Sequence, residues 1–276
     1  MKTKIKKIWN NFLKIVKLPE MKVLPGQIAF YILMSLIPIL AICTAIASSL
    51  VNNFDLLSQI KNILPSALYD IIVPLLNNTV PNVNLFLLIF CYMVVASNGP
   101  ASIIITSNEL YKSKSQNEIH LRLKAFIMTI IVVALLLFML FIPVFGDTIV
   151  KFIFELLNKP AYLYNYVGVY KILKVFISFM FIYFTIKLIY TMAPDEKIKS
   201  SSTTIGSLFT TIGWILSTEV FAFYITKIAK YDLLYGNFAN VLIMLIWINF
   251  LSYLFVIGMA INVNVYNVDK TKEVEL

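Results

Sequence analysis

An acidic side chain in the middle of an apolar stretch is the first group placed where it could do chemistry. Glu219 follows Ser217 and Thr218 and precedes Phe221 and Tyr224, and it is the one acidic residue well inside an apolar run. A carboxylate in hydrocarbon is costly and rare, so it ordinarily faces a bundle interior or a wetted path, where it relays protons or orients a polar cargo. Ser97-Asn98-Gly99-Pro100 interrupts another apolar run. Pro100 lacks an amide and clashes with the carbonyl of Ala96, so a helix passing through it must kink or break, and broken helices often line cavities. The structural alternative is a packing kink in which Asn98 satisfies the freed carbonyls. Asn108, Glu109 and Asn249 join Ser97, Asn98, Gly99, Pro100 and Glu219 as the candidate lining of a cavity or substrate path. Lys187 lies near the end of its run, where its stem can reach the surface.

Covalent chemistry finds little support. The single histidine, His120, stands in a polar loop, and Cys43 and Cys91 lie in apolar runs where a free thiol behaves as a small hydrophobe. A metal centre needs converging His, Cys or carboxylate ligands, and acyl or phosphoryl transfer needs a nucleophile beside a base. Neither pattern occurs, so no catalytic residue, metal or cofactor is expected and the chain reads as a non-enzyme.

The elements that must position these groups are membrane spans. In 276 residues, 60% are apolar and 13% charged, and the mean hydropathy is +0.85. That surface cannot be made soluble, and disordered or disulfide-rich classes need more charge or more cysteine. Six uncharged or nearly uncharged runs approach the roughly 20 residues a helix needs to cross a bilayer. They extend from about Ile28 to Val51, Leu85 to Ser107, Ala125 to Phe145, Tyr170 to Met192, Ile205 to Ala229 and Asn237 to Asn262. Turn signals such as Pro81-Asn82, Gly146-Asp147, Pro194-Asp195 and Tyr235-Gly236 separate them.

With both termini inside, fifteen of the 23 basic residues fall in cytoplasmic segments and five outside, a clear positive-inside bias. The net charge of +9 therefore reports topology and attraction to anionic lipid rather than nucleic-acid binding. Ahead of the first span, Ile5, Ile8, Trp9, Phe12, Leu13 and Val16 recur at helical spacing opposite Lys4, Lys6, Lys7, Lys14 and Lys17. This pattern predicts an amphipathic interfacial helix, with Lys4, Lys6, Lys7, Trp9, Lys14 and Lys17 meeting anionic headgroups at the cytoplasmic face. Its lysines and the long first run favour an uncleaved anchor, although Ala45-Ile46-Ala47 resembles a cleavage box. Residues 54 to 76 and 147 to 158 suggest short outer helices. Asn240, Asn249, Ser252, Asn262 and Asn264 in the last run suit hydrogen bonds between helices, and Gly206, Gly213 and Gly258 permit close approach.

These residues resemble a known family. Gly26-Gln27-Ile28-Ala29-Phe30-Tyr31 with Ser35-Leu36-Ile37-Pro38 is similar to the first helix of the YihY/BrkB family of bacterial inner-membrane proteins. Asn108, Tyr111, Pro194, Gly206, Trp214, Phe221, Tyr224, Tyr231, Tyr235-Gly236, Trp247, Gly258 and Asn262 continue the likeness, which covers residues 22 to 266. Where the family commonly carries Gly-Ala-Glu, this chain reads Gly258-Met259-Ala260, so no role of that glutamate passes to it. Glu219 is not part of the pattern. The resemblance implies six membrane helices and an unsettled activity, described as transporter-like or linked to lipid or lipopolysaccharide export and formerly labelled ribonuclease BN.

The expected architecture is an all-α, six-helix transmembrane bundle in the cytoplasmic membrane, both termini cytoplasmic. A leader occupies residues 1–22, the six-span domain 23–266 and a tail 267–276. The expected function is movement of an amphiphile or other solute through a polar-lined cavity that brings Glu219 and the Ser97 to Pro100 break together. The alternative is a non-transporting scaffold or envelope-assembly factor, with an assembly partner or a homo-oligomer and no nucleic acid.

Overall fold

Hydrocarbon offers no water to a backbone amide, so an apolar run that enters it must satisfy its own N–H and C=O groups, which favours the α-helix. The computed structural model describes residue 17 and residues 19–50, 85–113, 117–135, 137, 167–227 and 237–274. All secondary structure among them is helical. A short 3₁₀ turn, Pro19–Lys22, leads into α1, Leu24–Leu50. There follow α2 (Leu85–Ala96), α3 (Asn98–Tyr111), α4 (118–135), α5 (Val167–Met192), α6 (Thr204–Lys227) and α7 (Asn237–Val274).

Each of the six apolar runs thus carries helix, and the second carries two. Among the described residues three helical stretches are long and apolar enough to cross a membrane: Phe90–Tyr111, Thr204–Tyr224 and Leu242–Val268. Shorter apolar helices cover Leu24–Ile39 and Phe176–Met192. Large apolar side chains lie on the outside, among them Phe30, Met34, Phe184, Leu216, Val220, Phe223, Ile246 and Phe250. So much exposed apolar surface on several helices is what a lipid-facing belt requires and what a soluble protein avoids.

The break at Ser97 is slight. Ser97 keeps α-helical angles, its amide donates to the Met93 carbonyl at 3.0 Å, and the Ala101 amide donates to the Ser97 carbonyl at 2.9 Å. The Ser97 hydroxyl also donates back to the Val94 carbonyl at 2.7 Å. The helix therefore crosses Pro100 with a local defect, and Phe90–Tyr111 remains one apolar passage.

α3 lies at the centre. Of its fourteen residues only Ile105 and Glu109 are exposed, and Asn98 is half-buried. α1 packs along α2 and α3, α7 packs against α1, α6 and α3, and α5 lies on α6. The main core joins Ile28 of α1, Ile104 and Tyr111 of α3, Met128 of α4, Ile186 and Tyr190 of α5, and Phe255, Val256 and Met259 of α7. A smaller cluster of Ile39, Ile42, Ala96 and Val133 joins α1, α2 and α4. α7 continues unbroken across Asn262 and across residue 267, so no structural boundary separates span from tail there. The leader residues Lys4, Lys6, Lys7, Trp9 and Lys14, and the outer segments 54 to 76 and 147 to 158, lie outside the described residues; Lys17 is described and exposed.

Candidate functional site

The central helix is also rich in hydroxyls, and how they are satisfied sets it apart. A serine or threonine inside a membrane helix commonly donates to the carbonyl four residues back. α6 follows that habit: Ser207 donates to Thr203 at 2.7 Å, Thr211 to Ser207 at 2.8 Å and Thr218 to Trp214 at 2.8 Å. α3 does not. Ser102, Thr106, Ser107 and Tyr111 are buried, and none of their hydroxyl oxygens has a hydrogen-bond partner among the described residues. Ser102 and Thr106 stand one turn apart, as do Ser107 and Tyr111, so the unmatched groups form two short columns along α3. Leaving a buried polar group unmatched costs about 1–3 kcal/mol each, which makes this helix an expensive thing to keep at the centre of a bundle.

At the end of α3 the chain turns through Lys112, whose φ of 52° is left-handed, and its amide bonds the Glu109 carbonyl while that of Ser113 bonds the Asn108 carbonyl. This turn sets Ser113 beside Asn108 and both against the loop that follows α5. Asn108 and Asp195 bind each other twice: the Asn108 amide nitrogen donates to Asp195 Oδ2 at 2.6 Å, and the Asp195 backbone amide donates to Asn108 Oδ1 at 2.8 Å. Ser113 adds a hydroxyl donated to Asn108 Oδ1 at 2.9 Å. From α4, Lys124 Nζ reaches Asp195 Oδ1 at 2.6 Å and the carbonyls of Ala193 and Pro194 at 2.9 and 2.8 Å. The ammonium thus meets both a carboxylate and the two carbonyls just past the end of α5, where the helix dipole favours positive charge. Asp195 is only 4% exposed at its side chain, so this is a largely desolvated latch between α3, α4 and α5.

A second contact seals the same end. Glu196 Oε1 accepts from the Tyr266 hydroxyl at 2.8 Å and from Lys270 Nζ at 3.0 Å, both on α7. Those two donors hold the Glu196 carboxyl below its usual range, and Glu196 in turn raises Lys270. The Tyr266 ring meets that of Tyr111 edge-on, 5.6 Å between centroids, so α3 and α7 close over the lower hydroxyl column.

Behind the seal, α6 and α7 meet almost backbone to backbone, and Tyr190 of α5 reaches into the contact. A Cβ placed on Gly206 would collide with the Gly258 carbonyl and Asn262, and one on Gly258 would collide with Thr210, Tyr190 and the Gly206 carbonyl. Asn262 Oδ1 accepts from the Gly206 amide at 2.8 Å, capping from α7 an amide in the first turn of α6 that has no partner within its own helix. Tyr190 donates to the Phe255 carbonyl at 2.6 Å and shares a 2.8 Å hydrogen bond with Thr210, tying all three helices. Trp214 Nε1 donates to the Leu251 carbonyl at 2.9 Å.

The expected cavity lining separates into three groups. Ser97, Gly99 and Pro100 are buried, but a Cβ on Gly99 would meet the Ser35 side chain, so the break is packed against α1. Asn98 Oδ1 accepts from Arg122 of α4 at 2.9 Å. Asn108 belongs to the latch, whereas Glu109, Asn249 and Glu219 are exposed. Glu219 and the Ser97 to Pro100 break therefore do not share an interior. The buried stripe of α6 is Thr203, Gly206, Ser207, Thr210 and Thr211, and at 100° per residue Glu219 falls about 150° from its centre. Its carboxylate forms no hydrogen bond or ion pair among the described residues.

Sequence reasoning passed over Asp195 and Lys124, which had registered only as a turn and as one of the inner cations. The usable signal was Asn108 followed by a polar turn, facing Pro194-Asp195 across the bundle. Among the described residues no three of His, Cys, Asp and Glu are placed to hold a metal.

A family model described as virulence factor BrkB matches residues 17–275. The chain is 26% identical over 242 residues to YfkH of Bacillus subtilis (strain 168), a protein named as ribonuclease-like, covering 86% of this chain and 87% of that one. It is 37% identical over 82 residues to a UPF0761 membrane protein of Haemophilus influenzae (strain PittEE), a match spanning 30% of each chain. A UPF0761 membrane protein of Pasteurella multocida (strain Pm70) is 34% identical over 83 residues, or 30% of this chain and 26% of its own. No solved structure matches. An all-helical architecture with an apolar exterior, a match over nearly the full chain and relatives named as membrane proteins lead to one conclusion: this membrane protein belongs to the virulence factor BrkB family.

Proposed function

We propose that this protein moves an amphiphile or other solute past the polar central helix, without a covalent step, and that the latch around Asp195 closes the cytoplasmic end of that route. The observation that carries the reading is α3, where the buried hydroxyls of Ser102, Thr106, Ser107 and Tyr111 lack partners among the described residues, while Ser207 and Thr211 of α6 donate four residues back along their own chain. Groups so placed can hydrogen-bond a polar headgroup in passing, and in the latched state nothing among the described residues does so. The test is headgroup movement in liposomes, read by dithionite quenching of a fluorescent phospholipid. The wild-type protein should accelerate flipping, and Thr106→Val, which keeps the shape and removes the hydroxyl, should slow it about tenfold for a lost interaction near 1.4 kcal/mol. The same variant should melt higher, since an unmatched buried hydroxyl has been removed. No flipping by the wild type would end the transport reading.

Orientation follows the charge distribution, with both termini in the cytoplasm and the membrane being the cytoplasmic one. In a Cys43→Ala, Cys91→Ala background, Lys272→Cys should be shielded from an impermeant thiol reagent in intact cells, and Asn78→Cys should label. The opposite pattern would invert the bundle.

A second reading, a scaffold for envelope assembly or a homo-oligomer, is favoured by Glu219. A carboxylate exposed beside Leu216, Val220 and Phe223 would cost about 3 kcal/mol at mid-span, which a partner's polar group would relieve. Co-purification of a partner that Glu219→Leu releases, together with absent flipping, would select this reading.

A further inference from the structure

Away from α3, a groove of about 420 Å³ runs along the outer side of α5 toward the latch end of the bundle. Leu135 of α4 and Phe181, Phe184, Leu188 and Met192 of α5 make it apolar, and Lys187 and Ser200 add a cation and a hydroxyl. Its size falls within the roughly 300–1,000 Å³ of small-ligand sites. An apolar channel ending in a charge is the shape of one lipid, tail and headgroup together.

The charge decides which lipid. Lys187 Nζ sits 5.7 Å from the centroid of the Tyr183 ring and forms no ion pair among the described residues. The Thr185 hydroxyl, also in the lining, has no hydrogen-bond partner among them. Lys187 stands five residues before the end of α5, about 7.5 Å along the axis, which is the depth at which a lysine stem lying on apolar side chains brings its ammonium to the phosphate layer. Lys187 is the charge that the lining itself supplies, and the following loop's two acids, Asp195 and Glu196, are paired with Lys124 and Lys270. A zwitterionic headgroup would bring its own ammonium to Lys187, whereas an anionic one brings only compensating charge.

We infer that the groove between α4 and α5 binds one anionic phospholipid, its phosphate at Lys187 and Ser200 and an acyl chain along Phe181, Phe184 and Leu188. This site is separate from the central route, and it stands whether or not a cargo moves.

The experiment uses the full-length protein in nanodiscs of mixed dioleoylphosphatidylglycerol and dioleoylphosphatidylcholine, with retained lipid counted by native mass spectrometry. Phosphatidylglycerol should be retained preferentially, as a single tightly held copy. Lys187→Gln should lower that preference about fivefold, the equivalent of roughly 1 kcal/mol for one lysine at an anionic surface, while Lys187→Arg keeps it. Ser200→Glu, in an exposed loop where folding is not at stake, should lower it by charge repulsion. Equal retention of the two lipids would overturn the assignment. So would a preference that survives both Lys187→Gln and Ser200→Glu, or one that Lys197→Gln lowers as much as Lys187→Gln, because attraction would then be diffuse. Added inorganic phosphate should not displace the lipid; displacement would show that the groove selects the free anion.

Discussion

Replacing Gly258 with alanine is expected to destabilise the bundle by about 3 kcal/mol, at the upper end of what one added methyl does in a packed core. Helix propensity alone predicts the opposite sign, since alanine is favoured over glycine by about 1 kcal/mol in a helix interior. Packing decides the outcome. The new Cβ has nowhere to go, because one of the atoms it meets is the Gly206 carbonyl and another is the Tyr190 hydroxyl, which is held by Thr210 and the Phe255 carbonyl. α6 and α7 must separate, and the Asn262 bond to the Gly206 amide is stretched with them. Gly206→Ala should cost a similar amount, and the double variant should cost less than the sum, because both open one contact. Unfolding in mild detergent, followed by Trp214 fluorescence, would check this; either single variant within about 0.5 kcal/mol of wild type would show that the seam can relax.

Asp195→Ala should have the second large effect, about 3 kcal/mol. Breaking a buried ion pair from one side typically costs about 3–5 kcal/mol, because the remaining charge is left in a poor solvent. The lower figure applies because Lys124 is 18% exposed and keeps the Ala193 and Pro194 carbonyls. Asn108 would lose its bond to the carboxylate and keep the one donated by the backbone amide of residue 195. Adding Lys124→Met removes the stranded ammonium, so the double variant should recover part of the loss. Without recovery, the two charges are not coupled as their geometry requires. In liposomes Asp195→Ala should also raise headgroup flipping, the reverse of Thr106→Val, because the seal is weakened while the hydroxyls remain.

The apolar runs were legible because a span is a property of composition over some twenty residues, and Pro100 marked the defect in the second of them. How that defect is packed was not legible, because Ser35 meets Gly99 from another helix. Gly206, Gly213 and Gly258 were rightly read as close-approach positions, though nothing local paired Gly206 with Gly258. The interior placement expected for Glu219 rested on the rarity of carboxylates in spans, with polar partners to be supplied by other helices. In lipid the buried face of a helix is often its small and polar face, and Thr203, Gly206, Ser207, Thr210 and Thr211 had marked that face of α6. Asp195 and Lys124 are 71 residues apart, and no local pattern joins them.

α7 runs unbroken for 38 residues, about 57 Å at the helical rise, and it is pinned near Gly258 with Lys270 twelve residues beyond. That makes it a lever with a fulcrum. A tilt of about 10° around the pinned glycine would swing the far arm, some 18 Å away, by about 3 Å. Such a stroke is long enough to pull Tyr266 and Lys270 off Glu196 while the fulcrum itself scarcely moves. The mechanical advantage belongs to the arm beyond residue 262, so a weight or tether attached past Lys270 would act on the seal with little strain at the glycine contact.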